Sequence, residues 1–584
     1  MSKNMIAIGG ASGFWGDSVL GPMQLVASRR IDYLVFDYLA ELTMSLLASA
    51  RMKNPEAGYA ADFIDAMRAT LKDALSQGVR IISNAGGMNP RGCAHAVRAL
   101  ADELGVSVRI AVVEGDDVMP LLPDLRADGL ALPVKLVSAN AYLGALPIKQ
   151  ALDAGADVVI TGRCVDSAVT LGALMHEFGW GAFDFDLLAA GSLAGHLLEC
   201  GCQGVGGLHT DWQSVPDWAH SGYPIAECHA DGRVVITKPA GTGGLVTPAT
   251  VGEQLLYEIG DPRAYLLPDV TCDFAQVRMT QDGPERVLVQ GARGRAPGDG
   301  YKVSATYVDG FRCTAQLTIV GFEAEAKVRR TAEAILTRVR ERLVSLGLGD
   351  FSATHIELLG RAESFGSHIG RAPAFEAVLM LAVRHADRRA LEIFAREIAP
   401  AGTSWAPGTT GLAGRPGVTP AIKQQAFMLP KARLKPCVRI DEGEPVDVAI
   451  PEFGAAAEMP QARDLAVRPV PSLPLGERTV PLIELAYARS GDKGDSSNIG
   501  VIARRETDLP LLREQLTAEA VAAYLAHLVQ GPVTRYELPG LNALNFVCER
   551  ALGGGGMASL RHDALGKGMA QVLLAMPIRV PDNQ

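Results

Sequence analysis

The segment Met5–Gly16 reads MIAIGGASGFWG, and it decides how the first third of the chain should fold. Its apolar start predicts a buried strand, and the glycine-rich turn that follows leads into a helix-like stretch. The same order recurs further along. We predict strands at Met5–Ile8, Tyr33–Phe36, Val79–Ser83, Val108–Val113, Lys135–Ser138 and Val158–Thr161, and helices at Ala61–Gln77, Arg91–Leu104 and Leu146–Ala154. This alternation predicts an α/β fold with a parallel, doubly wound sheet.

Small or polar residues follow each predicted strand. They are Gly9-Gly10, Asp37, Asn84 to Gly87, Glu114 to Asp117, Asn140, and Thr161 to Arg163. Because the carboxyl ends of parallel strands share one edge, where ligands bind, we expect these residues to line a single cleft. Turn geometry and helix capping favour the same residue types, so each turn taken alone also has a purely structural explanation.

Further units are predicted after this Rossmann-like part, which we place at residues 1–215. An α+β unit should occupy residues 216–460, a Pro-rich linker 461–478, and a ferredoxin-like α+β domain of the split βαβ type 479–584. In the α+β unit we predict a strand at His229–Lys238 and a helix opening at Thr247-Pro248. Paired strands should follow within Val277–Gln290 and Tyr301–Val320, with turns at Asp282-Gly283 and Asp309-Gly310. The unit should end with helices at Glu323–Leu346 and Ala374–Arg396 and a loop at Pro400–Pro420.

Composition excludes several classes of protein. With 48% hydrophobic and 21% charged residues in 584, the chain can bury a sizeable core and is not mainly disordered. Its net charge of −10 argues against nucleic acid as a partner, because nucleic-acid binders carry a basic face. The nine scattered cysteines form no disulfide framework and favour a reducing cytoplasm. We expect neither a signal peptide nor a membrane span.

The densest cluster of reactive side chains is HLLECGCQ at residues 196–203. His196 and Cys200 lie four residues apart, on one face of the preceding helical pattern. Cys200 could act as a nucleophile beside an imidazole, whereas His196 or Glu199 could act as a general base. The spacing H-x3-C-x-C-x6-H, which ends at His209, also offers soft metal ligands, but its C-x-C pair lacks the two-residue gap of most zinc sites. A buried structural cysteine beside a capping histidine is the non-functional alternative.

Several other residues are candidates for binding an anion. The turn with Gly9, Gly10 and Gly13 exposes backbone N–H groups before a helix, although it departs from the GxGxxG pattern of dinucleotide sites. Arg163 at a helix start could hold a carboxylate or phosphate, with Asp166 as a catalytic or a capping group. The remaining candidates for binding substrate or an anion are Asn84, Gly86, Gly87, Asp116, Gly243, Gly244, Thr247 and Lys493.

The combined motifs resemble those of the acyclic terpene utilisation (AtuA) family. They are IGGASGFWGD, DYLAELT, SNAGGMNP, ITGRCVDSA, GHLLECGCQGVGG and PGTTGLAGRPGVTPAI, and the tail ARSGDKGDSSNIG resembles the ferredoxin-fold domain attached to that family. The resemblance implies a role in the breakdown of acyclic terpenoids such as citronellol and geraniol, in company with acyl-CoA-processing enzymes and a biotin-dependent carboxylase. Cys202 departs from the small residue expected there, which argues against a C-x-C metal pair.

Three hypotheses about function follow. The first is an enzyme of terpenoid or branched-chain acid breakdown, a hydratase or lyase acting on a carboxylated or CoA-linked acyl substrate. In it His196 is the acid/base, Glu199 its partner, Cys200 a nucleophile or thiol acid, and Arg163 the carboxylate clamp. The second is a non-catalytic accessory subunit of an acyl-CoA-processing complex, and the third a nucleotide-dependent oxidoreductase. We expect a homo-oligomer and a possible association with an acyl-CoA carboxylase. The sequence assigns no residues to a metal and leaves the cofactor unknown, with the CoA moiety of a substrate as one possibility.

Overall fold

A sheet of eleven strands forms the centre of the molecule, in a computed structural model that describes residues 3–370, 372–411, 413–453 and 478–581. The elements of residues 3–247 are β1 (Met5–Gly10), α1 (Leu20–Ala27), β2 (Tyr33–Phe36), α2 (Glu41–Lys53), α3 (Asp62–Ser76), β3 (Arg80–Ser83), α4 (Pro90–Leu104), β4 (Ile110–Glu114), α5 (Leu122–Ala127), β5 (Leu136–Ala141), α6 (Leu146–Asp153), β6 (Val158–Thr161), α7 (Ala168–Phe178), α8 (Phe185–Leu198), β7 (Ile225–His229) and β8 (Val234–Thr237).

Twelve strands and four helices follow before the break at residue 453. They are α9 (Pro248–Leu256), β9 (Tyr265–Leu266), β10 (Thr271–Asp273), β11 (Arg278–Gln281), β12 (Val287–Gln290), β13 (Arg293–Arg295), β14 (Gly300–Val320), α10 (Ala324–Ser345), β15 (Ala353–Leu359), β16 (Glu376–His385), α11 (Arg388–Glu397), α12 (Ala401–Ser404), β17 (Thr409–Thr410), β18 (Val418–Pro430), β19 (Cys437–Ile440) and β20 (Val446–Asp447).

The predicted α/β class is confirmed, but the central sheet is larger and more mixed than a parallel doubly wound sheet. Its middle strands run parallel in the order β1-β2-β3-β6-β4. Antiparallel strands extend both sides, with β7, β8, β12 and β11 beyond β1, and β19 and β20 beyond β4. Strands from before and after residue 215 therefore share one sheet.

Helices cover both faces of the parallel strands, because alternate residues of each strand point in opposite directions. Leu34, Phe36 and Ile81 pack with α1, α3 and α4. Tyr33 and Val35 pack on the other face with α6, α7 and α8. The strands are nearly continuous apolar runs for this reason.

A second sheet has β14 at its centre. This strand of 21 residues pairs with β16, β17, β18 and β5. Lys135–Ser138 is predicted as a strand of the first sheet. The strand is present as β5, but the prediction of its sheet is wrong, because β5 pairs with β14. The predicted turn at Asp309-Gly310 is also absent: β14 runs through it, with a change of register towards β18 between Val308 and Phe311.

Two further predictions in this region need correction. Ala374–Arg396 was expected as one helix, but it forms β16 and then α11, with Asp387 capping the helix. The run Ala377 to Val383 is continuously apolar, a pattern that periodicity alone does not assign to helix or strand. His229–Lys238 is the turn and second strand of the β7–β8 hairpin. The hairpin at Asp282-Gly283 and the helix opening at Thr247-Pro248 are confirmed.

The C-terminal domain is a ferredoxin-like unit. It contains β21 (Thr479–Pro481), β22 (Ala486–Lys493), β23 (Ser496–Ala503), α13 (Leu509–Gln515), α14 (Ala518–Tyr524), β24 (Val533–Leu538), β25 (Ala543–Cys548), α15 (Met569–Leu573) and β26 (Pro577–Arg579). Both β23 and β24 pair antiparallel with β25, so they run parallel on either side of it and are joined through α13 and α14. This is the predicted split βαβ arrangement. Most of the predicted linker, residues 461–477, lies outside the described residues.

A buried ion pair joins this domain to α9. Glu253 is fully buried and accepts hydrogen bonds from Arg489 Nη2 at 3.1 Å, from His209 Nδ1 at 3.0 Å and from the N–H of Thr210 at 3.1 Å. Arg489 also donates to Gln203 Oε1 at 2.7 Å. With both charges partnered, the contact fixes where the β22–β23 hairpin meets the rest of the chain. Among the described residues, no helix is both long and apolar enough to span a membrane.

Candidate active site

Side chains at the carboxyl ends of the parallel strands hydrogen-bond to one another. Asn84, after β3, donates from Nδ2 to Asp37 Oδ1 at 2.5 Å, and its Oδ1 accepts from the N–H of Tyr38 at 2.8 Å. Asp37, after β2, is buried, and burial together with the nearby Asp166 carboxylate raises its pKa well above the usual range. The structure thus brings the ends of β2 and β3 into contact, and the single cleft along this edge stays a prediction.

Asp116 links three further segments of this edge. Its Oδ2 accepts a hydrogen bond from Asn140 Nδ2 at 2.8 Å and another from the N–H of Arg163 at 2.9 Å. Burial raises the pKa of Asp116 to about 6. Both hydrogen bonds to Oδ2 come from the protein itself, so Asp116 holds β5 and the β6–α7 turn in place. This is a structural role, whereas the sequence suggests a role in binding an anion.

Arg163 lies at the centre of this edge with its guanidinium 4.1 Å above the ring of Tyr142. Its Nη1 donates to Asp166 Oδ1 at 2.7 Å and to the carbonyl of Cys164 at 2.8 Å. The Tyr142 hydroxyl donates in turn to Glu41 Oε1 at 2.6 Å. Burial raises the pKa of Glu41, but Lys302 and Arg163 outweigh it and hold the value at about 2. Glu41 is therefore a carboxylate at any working pH.

In the glycine-rich turn after β1, the N–H groups of the predicted anion-binding residues Gly10 and Gly13 are already hydrogen-bonded within the protein. The N–H of Gly10 donates to the carbonyl of Pro224 at 2.9 Å, and that of Gly13 donates to Asp17 Oδ2 at 2.9 Å. A Cβ at Gly13 would lie 2.7 Å from the carbonyl carbon of Cys200. The turn supports the end of α8 by this close approach, and its occupied donors count against phosphate binding there.

The other predicted glycines serve backbone packing. A Cβ at Gly86 would lie 2.5 Å from the carbonyl oxygen of Thr161, and one at Gly243 would lie 2.0 Å from that of Asp217. Gly87 and Gly244 adopt the left-handed conformation. Thr247 accepts a hydrogen bond from the N–H of Thr250 and caps α9. Gly9 lies within β1, between β2 and β7.

His196 and Glu199 form a buried pair at the end of α8. His196 Nδ1 lies 2.8 Å from Glu199 Oε1, and its Nε2 lies 3.0 Å from the carbonyl oxygen of Leu255. A carbonyl only accepts, so Nε2 carries a proton and both ring nitrogens are occupied. Burial would lower the pKa of His196, but Glu199 raises it overall.

Glu199 has one oxygen to spare. Its Oε2 is buried and has no hydrogen-bond partner among the described residues. Burial raises the pKa of Glu199, with the Asp166 carboxylate adding to the rise and His196 opposing it. A carboxyl group with a raised pKa and a free oxygen is suited to general acid/base chemistry. Of the two residues that the sequence offers as a general base, the geometry favours Glu199, because both ring nitrogens of His196 are occupied.

Cys200 is not prepared to act as a nucleophile. Burial raises the pKa of its thiol well above the usual range, and the carboxylates of Glu199 and Glu258 raise it further. A reactive cysteine needs the opposite surroundings, with a nearby cation or helix N-terminus that lowers the pKa. Of the roles expected for Cys200, a protonated thiol fits these surroundings.

The C-terminal domain contributes Lys493 from the tip of the β22–β23 hairpin. The residue is exposed, although its surroundings desolvate it enough to disfavour its charge; Glu258, Asp166 and Glu199 more than compensate and raise its pKa. The hairpin comes this close because Gly491 has no side chain: a Cβ there would lie 2.5 Å from Glu258 Cγ. Lys302, from β14, lies 3.6 Å from Glu41 and 4.8 Å above the ring of Tyr142. The site thus combines three cations with several carboxylates.

Sequence reasoning missed Glu41, Tyr142, Glu258 and Lys302. Glu41 lies in the motif DYLAELT directly after a predicted strand end, which was a usable signal. Lys302 and Glu258 carry no such signal, because Lys302 lies inside a strand and Glu258 lies two residues beyond the end of α9. Within the described ranges, no group of three His, Cys, Asp or Glu residues is arranged to hold a metal ion.

A cleft of about 730 Å³ opens beside Glu41, between the start of α2, β18 and the C-terminal domain. Its lining includes Glu41, Gln424, Asp492 and Lys567. Lys567 Nζ lies 3.0 Å from Glu258 Oε1 and 3.4 Å from Asp492 Oδ1. Of the carboxylates described above, Glu41 therefore faces a solvent-filled space that a substrate can enter.

Comparison with known proteins gives two family matches. Residues 6–440 match the model described as acyclic terpene utilisation family protein AtuA, and residues 480–579 match the AtuA ferredoxin-like domain. No curated protein matches the chain. No solved structure matches it either.

Proposed function

The chain belongs to the acyclic terpene utilisation family, and from this premise we propose that it is an enzyme of acyclic terpenoid or branched-chain acid breakdown. Its substrate would be a carboxylated or CoA-linked acyl compound, and its reaction the addition or removal of water, or the cleavage of a C–C bond, by general acid/base catalysis. The single observation that carries this proposal is the buried Glu199 carboxyl, with His196 on one oxygen and the other oxygen unpartnered.

The anionic head of the substrate has cations to bind. Lys493 and Lys302 lie close enough together that each disfavours the charge of the other, and Arg163 contributes to the same effect on Lys302. A carboxylate or the polarised oxygen of a thioester placed among them would relieve this repulsion. Arg163 is buried and held by Asp166 at 2.7 Å, whereas Lys302 lies 3.6 Å from Glu41 and is half exposed, and Lys493 forms no ion pair with any described residue, so we assign the main binding role to the two lysines.

In the dehydrating direction, Glu199 Oε2 removes the proton next to the carbonyl of the substrate. The electron pair left on carbon forms the new double bond as the bond to the β-hydroxyl breaks. The proton held by Glu199 then passes to the departing hydroxide, so that water leaves and the carboxylate is restored. Lys493 and Lys302 stabilise the negative charge that develops on the carbonyl oxygen in this step. His196 fixes the orientation of Glu199 throughout.

The test starts with a ligand. We propose to screen a panel of compounds for stabilisation of the protein against heat: geranic acid, citronellic acid, 3-methylbut-2-enoic acid and their CoA esters. A ligand present at a hundredfold excess over its Kd should add about 2.7 kcal/mol to the free energy of unfolding. Turnover of the stabilising compound is then measured in Glu199→Gln. Loss of the proton-transferring group should lower kcat by roughly 10² to 10⁴. Glu341→Gln, the same change at an exposed position of α10, should leave kcat unchanged.

Full turnover in Glu199→Gln, with Glu341→Gln as the matched control, would contradict the proposal. The occupied donors of the Gly10–Gly13 turn argue against the nucleotide-dependent alternative. Homo-oligomer formation and association with an acyl-CoA carboxylase stay predictions.

A further inference from the structure

A second cleft, of about 500 Å³, lies between the segment Gly206–Ser221 and the C-terminal domain. Three large apolar side chains at this cleft are exposed to solvent: Leu208 by 69%, Trp212 by 54% and Trp218 by 60%. The two indole rings meet edge to face with centroids 5.7 Å apart. Trp218 Nε1 donates to the carbonyl of Val215 at 3.0 Å, which fixes the ring. The cleft therefore presents a preformed apolar wall.

The backbone of this wall is strained. Leu208 has φ of 58° and Asp217, directly before Trp218, has φ of 45°, so both adopt the left-handed region that favours glycine. An apolar residue held in that conformation and exposed to water is unfavourable twice over. Strain that persists beside a cleft points to a functional constraint on the side chains it presents.

The charged residues of the cleft are already paired. Arg489 is bound to Glu253 and Gln203, and Lys567 to Glu258 and Asp492. Its remaining lining is largely apolar or small, including Val215, Ala488 and Ala570. A volume of this size is typical of small-molecule sites, roughly 300–1,000 Å³. The chemistry favours an uncharged, apolar occupant.

The inner end of the cleft borders the candidate active site. Tyr257 and Lys567 line it, and Lys567 also lines the cleft beside Glu41 and Asp492. Lys567 Nζ lies 4.4 Å above the ring of Tyr257 and 3.0 Å from Glu258. A chain lying along the tryptophans would thus have its polar head near Lys567, the residue that the two clefts share.

We propose that the cleft formed by Leu208, Trp212 and Trp218 binds the apolar chain of the substrate, so that the enzyme selects long acyl chains over short ones. This inference rests on the proposed function for the identity of the head group, and on the cleft alone for the chain. Burying several further methylene groups against two indoles should strengthen binding by roughly tenfold or more.

The experiment measures binding rather than turnover, in the Glu199→Gln background that prevents reaction. The probes are geranic acid, with ten carbons, and 3-methylbut-2-enoic acid, with five, which share the same head group. We expect geranic acid to bind at least about tenfold more tightly. Leu208→Asn should abolish most of this preference while relieving backbone strain, because asparagine tolerates the left-handed region. Trp218→Gln should have the same effect on the preference.

Leu346→Asn makes the same change at a Leu that is 57% exposed elsewhere and should retain the preference. Equal binding of the two acids by the Glu199→Gln parent, or an unchanged preference in Leu208→Asn, would overturn the proposal. These results are independent of the chemistry: full turnover in Glu199→Gln contradicts the acid/base role, whereas an unchanged preference in Leu208→Asn contradicts only the assignment of the cleft.

Discussion

At the residue scale, the division of work between His196 and Glu199 follows from which atoms are free. His196 has a partner on each nitrogen, whereas Glu199 has one oxygen without a partner among the described residues. The sequence predicts that Glu199 acts as the partner of His196, and their i, i+3 spacing at the end of α8 allows the contact between them. It gives no information on the carbonyl of Leu255, 59 residues further on, which occupies the histidine.

His196→Gln tests whether His196 acts through Glu199. His196 lowers the pKa of Glu199 against the effect of burial, so its removal should raise that pKa further. Glu199 would then stay protonated to higher pH, and the acidic limb of the profile of kcat/KM against pH should move to higher pH. A lower rate with an unmoved limb would mean that His196 only supports the fold.

Asp116 should make the stability of the protein depend on pH. Burial raises its pKa to about 6, above the ordinary 3.8, so the folded state binds the proton more tightly than the unfolded state does. The resulting stabilisation is complete below pH 4 and is lost as the pH rises through 6. Relative to Asp116→Asn, the free energy of unfolding of the wild type should fall by roughly 3 kcal/mol over this window. Urea denaturation of both proteins at pH 4, 5, 6 and 7 measures this difference. If the free energies of unfolding of the wild type and Asp116→Asn change in parallel with pH, the raised pKa of Asp116 is refuted.

At the scale of elements, the turn after β1 supports the end of α8. Gly13→Ala places a methyl group 2.7 Å from the backbone of Cys200, and backbone does not yield as a flexible side chain would. We expect a lower melting temperature and, because Glu199 shifts, lower turnover. Gly298→Ala is the matched control, since its Cβ would meet nothing within 4 Å. Equal melting temperatures in the two variants would contradict this reading.

The elements also show where sequence patterns stop being informative. The strands β1, β2, β3 and β6 begin and end within one or two residues of their predicted positions, because runs of Val and Ile mark buried strands well. The partner of β5 could not be predicted, because the residue pattern of an apolar strand does not indicate which sheet the strand joins. The helix predicted across β16 failed because its apolar run is continuous and its charged residues come only afterwards, in α11.

At the scale of the whole molecule, one buried ion pair joins the C-terminal domain to the rest. Arg489→Met leaves Glu253 charged and without its cation in a fully buried position. Such a loss typically costs roughly 3–5 kcal/mol, whereas replacing both charges costs far less. Chemical denaturation should therefore rank Arg489→Met as less stable than the double variant Arg489→Met with Glu253→Gln. The opposite ranking would show that the pair is not desolvated as described.

The site itself depends on contacts that no local pattern encodes. Glu199 and Glu258 act on the charge of Lys493, whose hairpin is held on α9 through Arg489. More than two hundred residues separate these partners in the chain. The sequence marks Lys493 as a candidate through its polar turn, yet its place beside the helix-end carboxylates follows from the packing of one domain on another.

The long strand β14 has a consequence for how Lys302 is aimed. At roughly 3.4 Å per residue, its 21 residues extend about 70 Å, from the site to the layer formed by α10 and α11. Successive side chains point in opposite directions, so deleting a single residue near Val308 would invert one half relative to the other. Either Lys302 would turn away from Glu41, or the apolar face beneath α10 would turn to water. The irregularity at Val308–Phe311 thus determines which face of β14 each half of the strand presents, so that Lys302 faces Glu41 while the apolar residues of the other half face α10.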